Sequence, residues 1–306
     1  METKRRNKII VILGPTAVGK SDFAVKIAKK NNGEIISADS RQIYTGLDIG
    51  TGKIKKKEMK KIPHYLLDVV NPKKIFTVFQ YKKLADDSIK NILDKGNIPI
   101  IAGGTGLYIQ TIVDNISIPE VPPDQTLRRK LELKTTVQLF KILKKADPRR
   151  AKEIDKNNPR RLIRAIEIAK AIGKIPELKP AKPMSDIGFL QIGLKADKET
   201  LKKRIEKRVK KMIKSGLLKE VKKMRQSGLS WKRIYELGFE YKYPAMFLKG
   251  KINNNEMLEK MLAENYKYAK RQMTWFKRDK RIKWFSTEAT ELKKAEEVIK
   301  DFLLDF

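Results

Sequence analysis

The chain contains no cysteine, which excludes disulfides and thiolate–metal sites and fits a reducing compartment. It has one histidine, His64. A multi-histidine metal centre is therefore excluded, and His64 reads as a structural residue. Long hydrophobic runs are lacking too. The apolar stretch after the charged start is only Ile9 to Leu13, far too short for a signal peptide or a membrane span. The expected location is the cytoplasm, without a membrane partner. Acidic residues are scarce: 36 Asp and Glu face 70 Lys and Arg, for a formal net charge of +34. Such an excess favours polyanionic partners, nucleic acid above all, although lysine enrichment across a whole genome would leave the same trace.

What is present is a chain of 306 residues with 41% apolar content and 13 scattered prolines, enough for a well-buried core. The first third alternates strands and helices. Ile9 to Leu13 is a β-branched apolar run of the buried parallel type, and a helix is expected from Lys20 to about Lys30, with Phe23, Ala24, Ile27 and Ala28 on one face. Glu34–Ser37, Tyr65–Val70 and Pro99–Ala102 are further strands. The pattern predicts an α/β fold: a P-loop NTPase-like parallel sheet flanked by helices, with ligands at the carboxyl ends of its strands. Composition shifts near Ile116. Three prolines fall between Ser117 and Pro123, and Arg128 to Ile172 reads as helices with basic faces. Pro176, Pro180 and Pro183 mark a second linker, and Phe189–Leu194 a returning core strand. Residues 117–184 are thus expected to form a helical insertion in a core of 1–116 and 185–306, whose last part is mostly helical. The lysine-dense stretch Lys53 to Lys61 reads equally well as a solvated loop or as a binding surface.

The run Gly14-Pro-Thr-Ala-Val-Gly19-Lys20-Ser21 satisfies G-x-x-x-x-G-K-[ST], with a strand before and a helix after. Gly14, Thr16, Ala17, Val18 and Gly19 would present backbone N–H groups to a di- or triphosphate. Lys20 would reach the terminal phosphates as a point charge, and the Ser21 hydroxyl could join a Mg²⁺ shell. The motif is shared with ATP-binding proteins and does not say what becomes of the phosphates. Asp39, at the end of the second strand, could face a substrate, cap a helix or stand behind a Mg²⁺ ion.

With Ile36-Ser-Ala-Asp-Ser-Arg-Gln-Ile-Tyr44, Asp48-Ile-Gly-Thr51, Gly103-Gly-Thr-Gly-Leu-Tyr108, Asn158-Pro-Arg-Arg-Leu-Ile-Arg-Ala-Ile-Glu167 and Lys270-Arg-Gln-Met-Thr-Trp-Phe276, the chain resembles the tRNA dimethylallyltransferase family over nearly its whole length. The resemblance implies transfer of a dimethylallyl group from dimethylallyl diphosphate to the exocyclic amine of the adenosine 3′ to the anticodon, with Mg²⁺ as cofactor and the anticodon stem-loop of tRNA as partner. It implies Asp39 as general base, with Lys20 and Thr105 beside it. It also implies tRNA contacts by Asp39, Ser40, Arg41, Gln42 and Thr105, by the strip Arg160, Arg161 and Arg164, and by Lys270, Arg271, Gln272 and Lys277. A monomer is expected.

The residues themselves agree with RNA binding. Arg160, Arg161 and Arg164 share little more than one helical turn, while Leu162, Ile163 and Ile166 can face a core. Arg271, Lys277 and Arg278 interleave with Trp275 and Phe276, which could stack on bases but read more naturally as core. The resemblance weakens at Leu237-Gly-Phe-Glu-Tyr-Lys242, where Glu240 stands in place of an expected basic residue. Arg204 and Arg208, one helical turn apart, could bind diphosphate or form a solvated basic face. A small-molecule kinase, a prenyltransferase acting on free adenylate and a non-catalytic nucleic-acid binder with an idle phosphate loop remain as other readings.

Overall fold

The computed structural model describes residues 7–176 and 186–305. The chain divides into two compact units, Met1–Asn115 with Lys182–Phe306, and Ile116–Ala181. Pro180, Pro183 and the expected boundary at 184–185 lie outside the described residues.

The first unit begins β1 (Asn7–Leu13), α1 (Lys20–Lys30), β2 (Gly33–Ala38), β3 (His64–Tyr65), α2 (Val78–Asp94), β4 (Ile98–Gly103) and α3 (Gly106–Val113). The second unit holds α4 (Gln125–Glu132), α5 (Thr136–Ala146), α6 (Pro148–Glu153) and α7 (Pro159–Ile172). The first unit then resumes with β5 (Ile187–Lys195), α8 (Lys198–Lys214), α9 (Leu217–Gln226), α10 (Trp231–Glu236), α11 (Phe239–Leu248), α12 (Asn254–Phe276), β6 (Lys283–Ser286) and α13 (Ala289–Leu304).

The sheet has the order β3-β2-β4-β1-β5-β6, and every pairing is parallel. Side chains alternate across it because the strand period is two residues. Ile9, Val11 and Leu13 face a layer that includes Tyr81 and Ile89 of α2, Ile205 and Val209 of α8, and Met257 and Met261 of α12. Ile10 and Ile12 face the opposite layer, Phe23 and Ile27 of α1 with Ala295 and Ile299 of α13. A fully buried isoleucine here, cut to alanine, costs about 2–5 kcal/mol, so the strand that carries the phosphate loop is firmly seated. Capping boxes start two of the long helices, Thr77 with Gln80 at α2 and Asn253 with Glu256 at α12.

Register decides where ligands can sit. Leu13 of β1 pairs with Gly103 of β4, and Ala38 of β2 pairs with the same Gly103. Leu13 also lies beside Gly193 of β5. The residues that follow β1, β2 and β4, namely Gly14, Asp39 and Gly104, therefore emerge at one level on the carboxyl edge of the sheet, beside Leu194 of β5.

One expectation needs correction. The strand expected over Tyr65–Val70 is only His64–Tyr65, because Leu66 (φ 61°) and Asp68 (φ 55°) turn the chain out of the sheet. Val70 returns to make one isolated bridge with Tyr44. The C-terminal part holds a short edge strand, β6, whose four residues Lys-Trp-Phe-Ser give no alternation long enough to read. Lys53, in the stretch that could have been a solvated loop, is buried. Its Nζ donates to Tyr44 O at 2.9 Å and pairs with Asp48 and Asp68. His64 is structural: its Nδ1 lies 2.8 Å from Ile62 O, and burial pushes its pKa down.

The insertion has a core of its own, with Leu131, Leu139, Leu143, Leu162 and Ile166 at its centre. The buried Glu167 accepts from Arg128 Nε (2.6 Å) and Nη2 (2.8 Å) and from Asp124 N (2.9 Å), which ties α4 to α7.

Candidate active site

The phosphate loop leaves β1 at Gly14. A Cβ there would lie 2.3 Å from Leu194 O, so the close passage against β5 requires glycine. Gly19, at φ 95°, turns the loop into α1. Val18 packs its side chain into the layer under α1, which leaves only its backbone to the loop. Ser21 is exposed in the first turn of α1.

Thr16 is held from two sides. Its backbone N–H donates to Gln272 Oε1 at 2.8 Å, and its Oγ1 accepts from Arg208 Nη1 at 2.6 Å. Lys20 Nζ donates to Pro15 O at 2.7 Å, so the ammonium curls over the loop. Burial, helped by the Arg208 charge and opposed by the Asp39 carboxylate, pushes the Lys20 pKa down to about 7. A phosphate group placed beside a lysine in that setting would restore the charge that burial suppresses.

Asp39 follows β2 directly. Its Oδ1 accepts from Arg41 N at 2.8 Å and Gln42 N at 3.3 Å, so it caps a turn and not a helix. Oδ2 accepts no hydrogen bond from the described residues. The turn is pinned to the end of β4: Ser40 N donates to Thr105 Oγ1 at 3.0 Å, and Thr105 N to Ala38 O at 3.0 Å. Gly103 permits this, since a Cβ there would sit 2.2 Å from Ala38 O.

Three tyrosines feel the charge of the Asp39 carboxylate. Tyr81 stacks on Tyr108 with centroids 3.7 Å apart, and Tyr81 Oη is buried without a hydrogen-bond partner. Burial pushes the pKa values of Tyr81, Tyr108 and Tyr268 up, and the negative charge of Asp39 adds to each. These phenols stay protonated and neutral. Glu240, at the start of α11, is pushed up to about 7 by burial, against the pull of Arg208 and Arg41.

Gln272 departs from the expected RNA strip. It is buried, and its Nε2 donates to Gly104 O at 2.8 Å while its Oε1 holds Thr16. Both ends of the amide are used in joining the phosphate loop to the Gly103–Thr105 turn. Lys270, Arg271 and Lys277 of that strip are exposed. Arg271 lies over the Tyr268 ring at 5.8 Å. Phe276 is buried, and the Trp275 ring fills the space that a Cβ on Gly106 would need, so both pack as core residues. In the insertion, Arg160 and Arg161 are exposed on the first turn of α7, behind the Asn158 cap. Arg164 is committed internally, to Val121 O at 2.7 Å and Glu167 at 3.4 Å.

Arg208 was left open by sequence between a diphosphate ligand and a solvated face. It lies against the loop, with Nη2 donating to Thr51 O at 3.0 Å. Arg204 makes only a long 3.5 Å approach to Val18 O.

A parallel sheet with a phosphate loop at the end of its central strand and a carboxylate at the same level belongs to the P-loop class of α/β proteins. The model of the IPP transferase family matches residues 42–279, and the chain belongs to that family. The tRNA dimethylallyltransferase of Syntrophomonas wolfei is 40% identical over 285 residues, 91% of either chain. The crystal structure of the tRNA isopentenylpyrophosphate transferase of Bacillus halodurans superposes with a TM-score of 0.74 at 34% identity, over 97% of both chains. A eukaryotic dimethylallyltransferase acting on tRNA superposes at 0.81 and 28% identity, over 97% of this chain and 79% of its own. No helix of the described residues is long and apolar enough to cross a membrane.

Proposed function

We propose that the protein transfers a dimethylallyl group from dimethylallyl diphosphate to the exocyclic amine of the adenosine 3′ to the anticodon of tRNA, releasing diphosphate. The observation that carries this reading is the shared level of Gly14 and Asp39 on the carboxyl edge of the sheet, fixed by the common pairing of Leu13 and Ala38 with Gly103. The diphosphate lies in the loop Gly14–Ser21, against Lys20 and Arg208. The adenine amine approaches from the Asp39 side.

In the reaction the amine nitrogen bonds to C1 of the prenyl group as the C1–O bond breaks, and that electron pair leaves with the diphosphate. Lys20, Arg208 and the loop N–H groups offset the charge that develops on the leaving oxygens. The amine becomes acidic only as the C–N bond forms, so a weak, well-placed base suffices. Asp39 fits: Oδ1 is anchored by its turn and Oδ2 remains to take the proton. The neutral phenols of Tyr81, Tyr108 and Tyr268 keep the surroundings apolar enough to shield the allylic carbon from water.

The described residues hold no cluster of three or more carboxylate, histidine or cysteine ligands. The exposed Ser21 hydroxyl, in the first turn of α1 beside the loop, would hold a Mg²⁺ ion whose remaining ligands are diphosphate oxygens and water. When bound, that ion would supply further charge neutralisation at the leaving group. Arg160, Arg161, Lys270, Arg271 and Lys277 contact tRNA phosphates, and Ser40, Arg41 and Gln42 border the adenosine. We place the enzyme in the cytoplasm as a monomer.

The test is direct. The protein is incubated with dimethylallyl diphosphate, Mg²⁺ and unmodified tRNA, and the digested nucleosides are weighed by mass spectrometry. One adenosine gaining a C₅H₈ unit is expected. Prenylation of free AMP in preference to tRNA, or ATP turnover without RNA, overturns the reading.

A further inference from the structure

The segment that Arg208 rests on is held by a network of hydrogen bonds around Glu220. Glu220, in the first turn of α9, accepts from three consecutive backbone N–H groups: Asp48 (3.1 Å) and Ile49 (2.7 Å) on Oε2, and Gly50 (3.0 Å) on Oε1. Successive N–H groups converging on one point form an anion-binding concavity, here filled by the protein's own carboxylate. The Tyr241 hydroxyl, from the buried face of α11, donates to the same Oε1 at 2.9 Å. Gly50 is needed for this arrangement, since a Cβ would meet the Tyr241 ring at 2.6 Å.

The segment so held leads straight to Arg208. Thr51 is buried, its Oγ1 donates to Leu47 O at 2.6 Å, and its carbonyl accepts from Arg208 Nη2. At Gly52, φ 60°, a Cβ would lie 2.8 Å from Arg208 Nη2, so the guanidinium rests on bare backbone. The other arm of the fork reaches Thr16 Oγ1. Arg208 sits in the middle of a helix rich in lysine and makes no ion pair with a carboxylate among the described residues, although Glu240 feels its charge. Its two close hydrogen bonds go to neutral acceptors, Thr51 O and Thr16 Oγ1.

We infer that Glu220, with Tyr241, is a positioning residue that fixes the 48–52 segment so that Arg208 is held against the phosphate loop ready for the diphosphate. The inference rests on the diphosphate reading of that loop. A planar fork oriented before the ligand arrives loses little freedom on binding, and a carboxylate under three N–H groups makes charge-assisted bonds stronger than those of a neutral acceptor. Changing Glu220 to Gln keeps size and polarity, but removes the charge and turns an N–H₂ group toward N–H donors.

The test reads inorganic pyrophosphate binding by calorimetry, with Mg²⁺, on the full chain. Glu220→Gln is expected to weaken pyrophosphate about tenfold and to leave tRNA affinity unchanged. In an Arg208→Ala background the same change is expected to cost less than about twofold, because the two act through one contact. Tyr241→Phe removes the hydroxyl bond and keeps the buried ring. It is expected to weaken pyrophosphate about threefold alone and not at all beside Arg208→Ala. Full affinity in both single variants, or losses that simply add to that of Arg208→Ala, overturns the relay. A wild type that binds pyrophosphate but transfers no prenyl group overturns the proposed function and leaves the relay standing. A wild type that binds no pyrophosphate overturns both.

Discussion

Gln272 and Thr16 stand 256 residues apart in the chain, yet the Gln272 amide oxygen accepts the Thr16 N–H at 2.8 Å. Through the amide's other end, on Gly104 O, the same side chain ties two of the site's three turns together. Gln272→Ala leaves a buried N–H and a buried carbonyl without partners, and is expected to lower stability by about 1–3 kcal/mol in urea unfolding. Pyrophosphate affinity falls with it. An unfolding midpoint equal to wild type would contradict this role.

Asp39→Asn separates turn from chemistry. The amide oxygen can still accept from Arg41 N and Gln42 N, so the loop keeps its shape and tRNA binding stays near normal. Prenyl transfer is expected to fall by about 10²–10⁴-fold, the usual worth of a general base. Asp39→Ala loses the turn contacts as well. Near-normal single-turnover rates in Asp39→Asn would remove the carboxylate from the base role.

Lys20 sets a pH signature on donor binding. Its pKa in the free protein is about 7, so at pH 8 most molecules hold a neutral amine, and binding a diphosphate takes up a proton. Near pH 6 the lysine is already charged and the uptake vanishes. Calorimetry of pyrophosphate binding in buffers of different ionisation heat measures this. Glu240, also near 7, gains a proton as an anion approaches, so the Glu240→Gln variant isolates the lysine contribution. Uptake independent of pH would contradict the assignment.

The same group sets the sign of a stability effect. Unfolded Lys20 titrates near 10.5 and folded Lys20 near 7, so between these values the unfolded chain holds more protons and stability rises with pH. Below 7 the cost of burying the charge is felt in full. Lys20→Met is therefore expected to melt higher than wild type at pH 6, with the gap closing toward pH 10, while pyrophosphate binding is lost. A gap that widens with pH would refute it.

For RNA, affinity for unmodified tRNA is expected to fall steeply with salt. Arg160→Ala and Arg161→Ala should each weaken binding and reduce the log–log salt slope by about one. Arg164→Ala behaves differently: it removes the bonds to Val121 O and Glu167, so its first effect is on the stability of the insertion. A salt slope unchanged in Arg160→Ala and Arg161→Ala would mean that these two arginines do not reach phosphate.

Local signals in the sequence carried the helix from Lys20 to Lys30, the loop that precedes it and the inward faces of Leu162, Ile163 and Ile166, because each rests on neighbouring residues. What sequence left open depends on partners brought from far away. Nothing in the lysine-rich α8 distinguishes Arg208 from the basic residues around it until Thr51 and Thr16 are placed beside it. Gln272 sits in a motif associated with RNA contact, but its neighbours Lys270 and Arg271 point outward while it points into the protein, a difference of helical phase that requires the core to be known. Tyr65–Val70 has strand composition throughout. Its left-handed residues at 66 and 68 accompany a long-range ion pair, half-exposed Asp68 with buried Lys53, that propensity does not foresee.

The pairing of β1 with β5 has a consequence for how the molecule is made. Residues 7–13 wait for residues 187–193, so during synthesis β1 keeps one open edge until the whole insertion has left the ribosome. The insertion has its own apolar centre and can settle first, leaving β5 to close the sheet. Until then the phosphate loop lacks its neighbour at Leu194, and Arg208, Glu220 and Gln272 have yet to be translated. The phosphate loop's full surroundings are thus among the last parts of the protein to form.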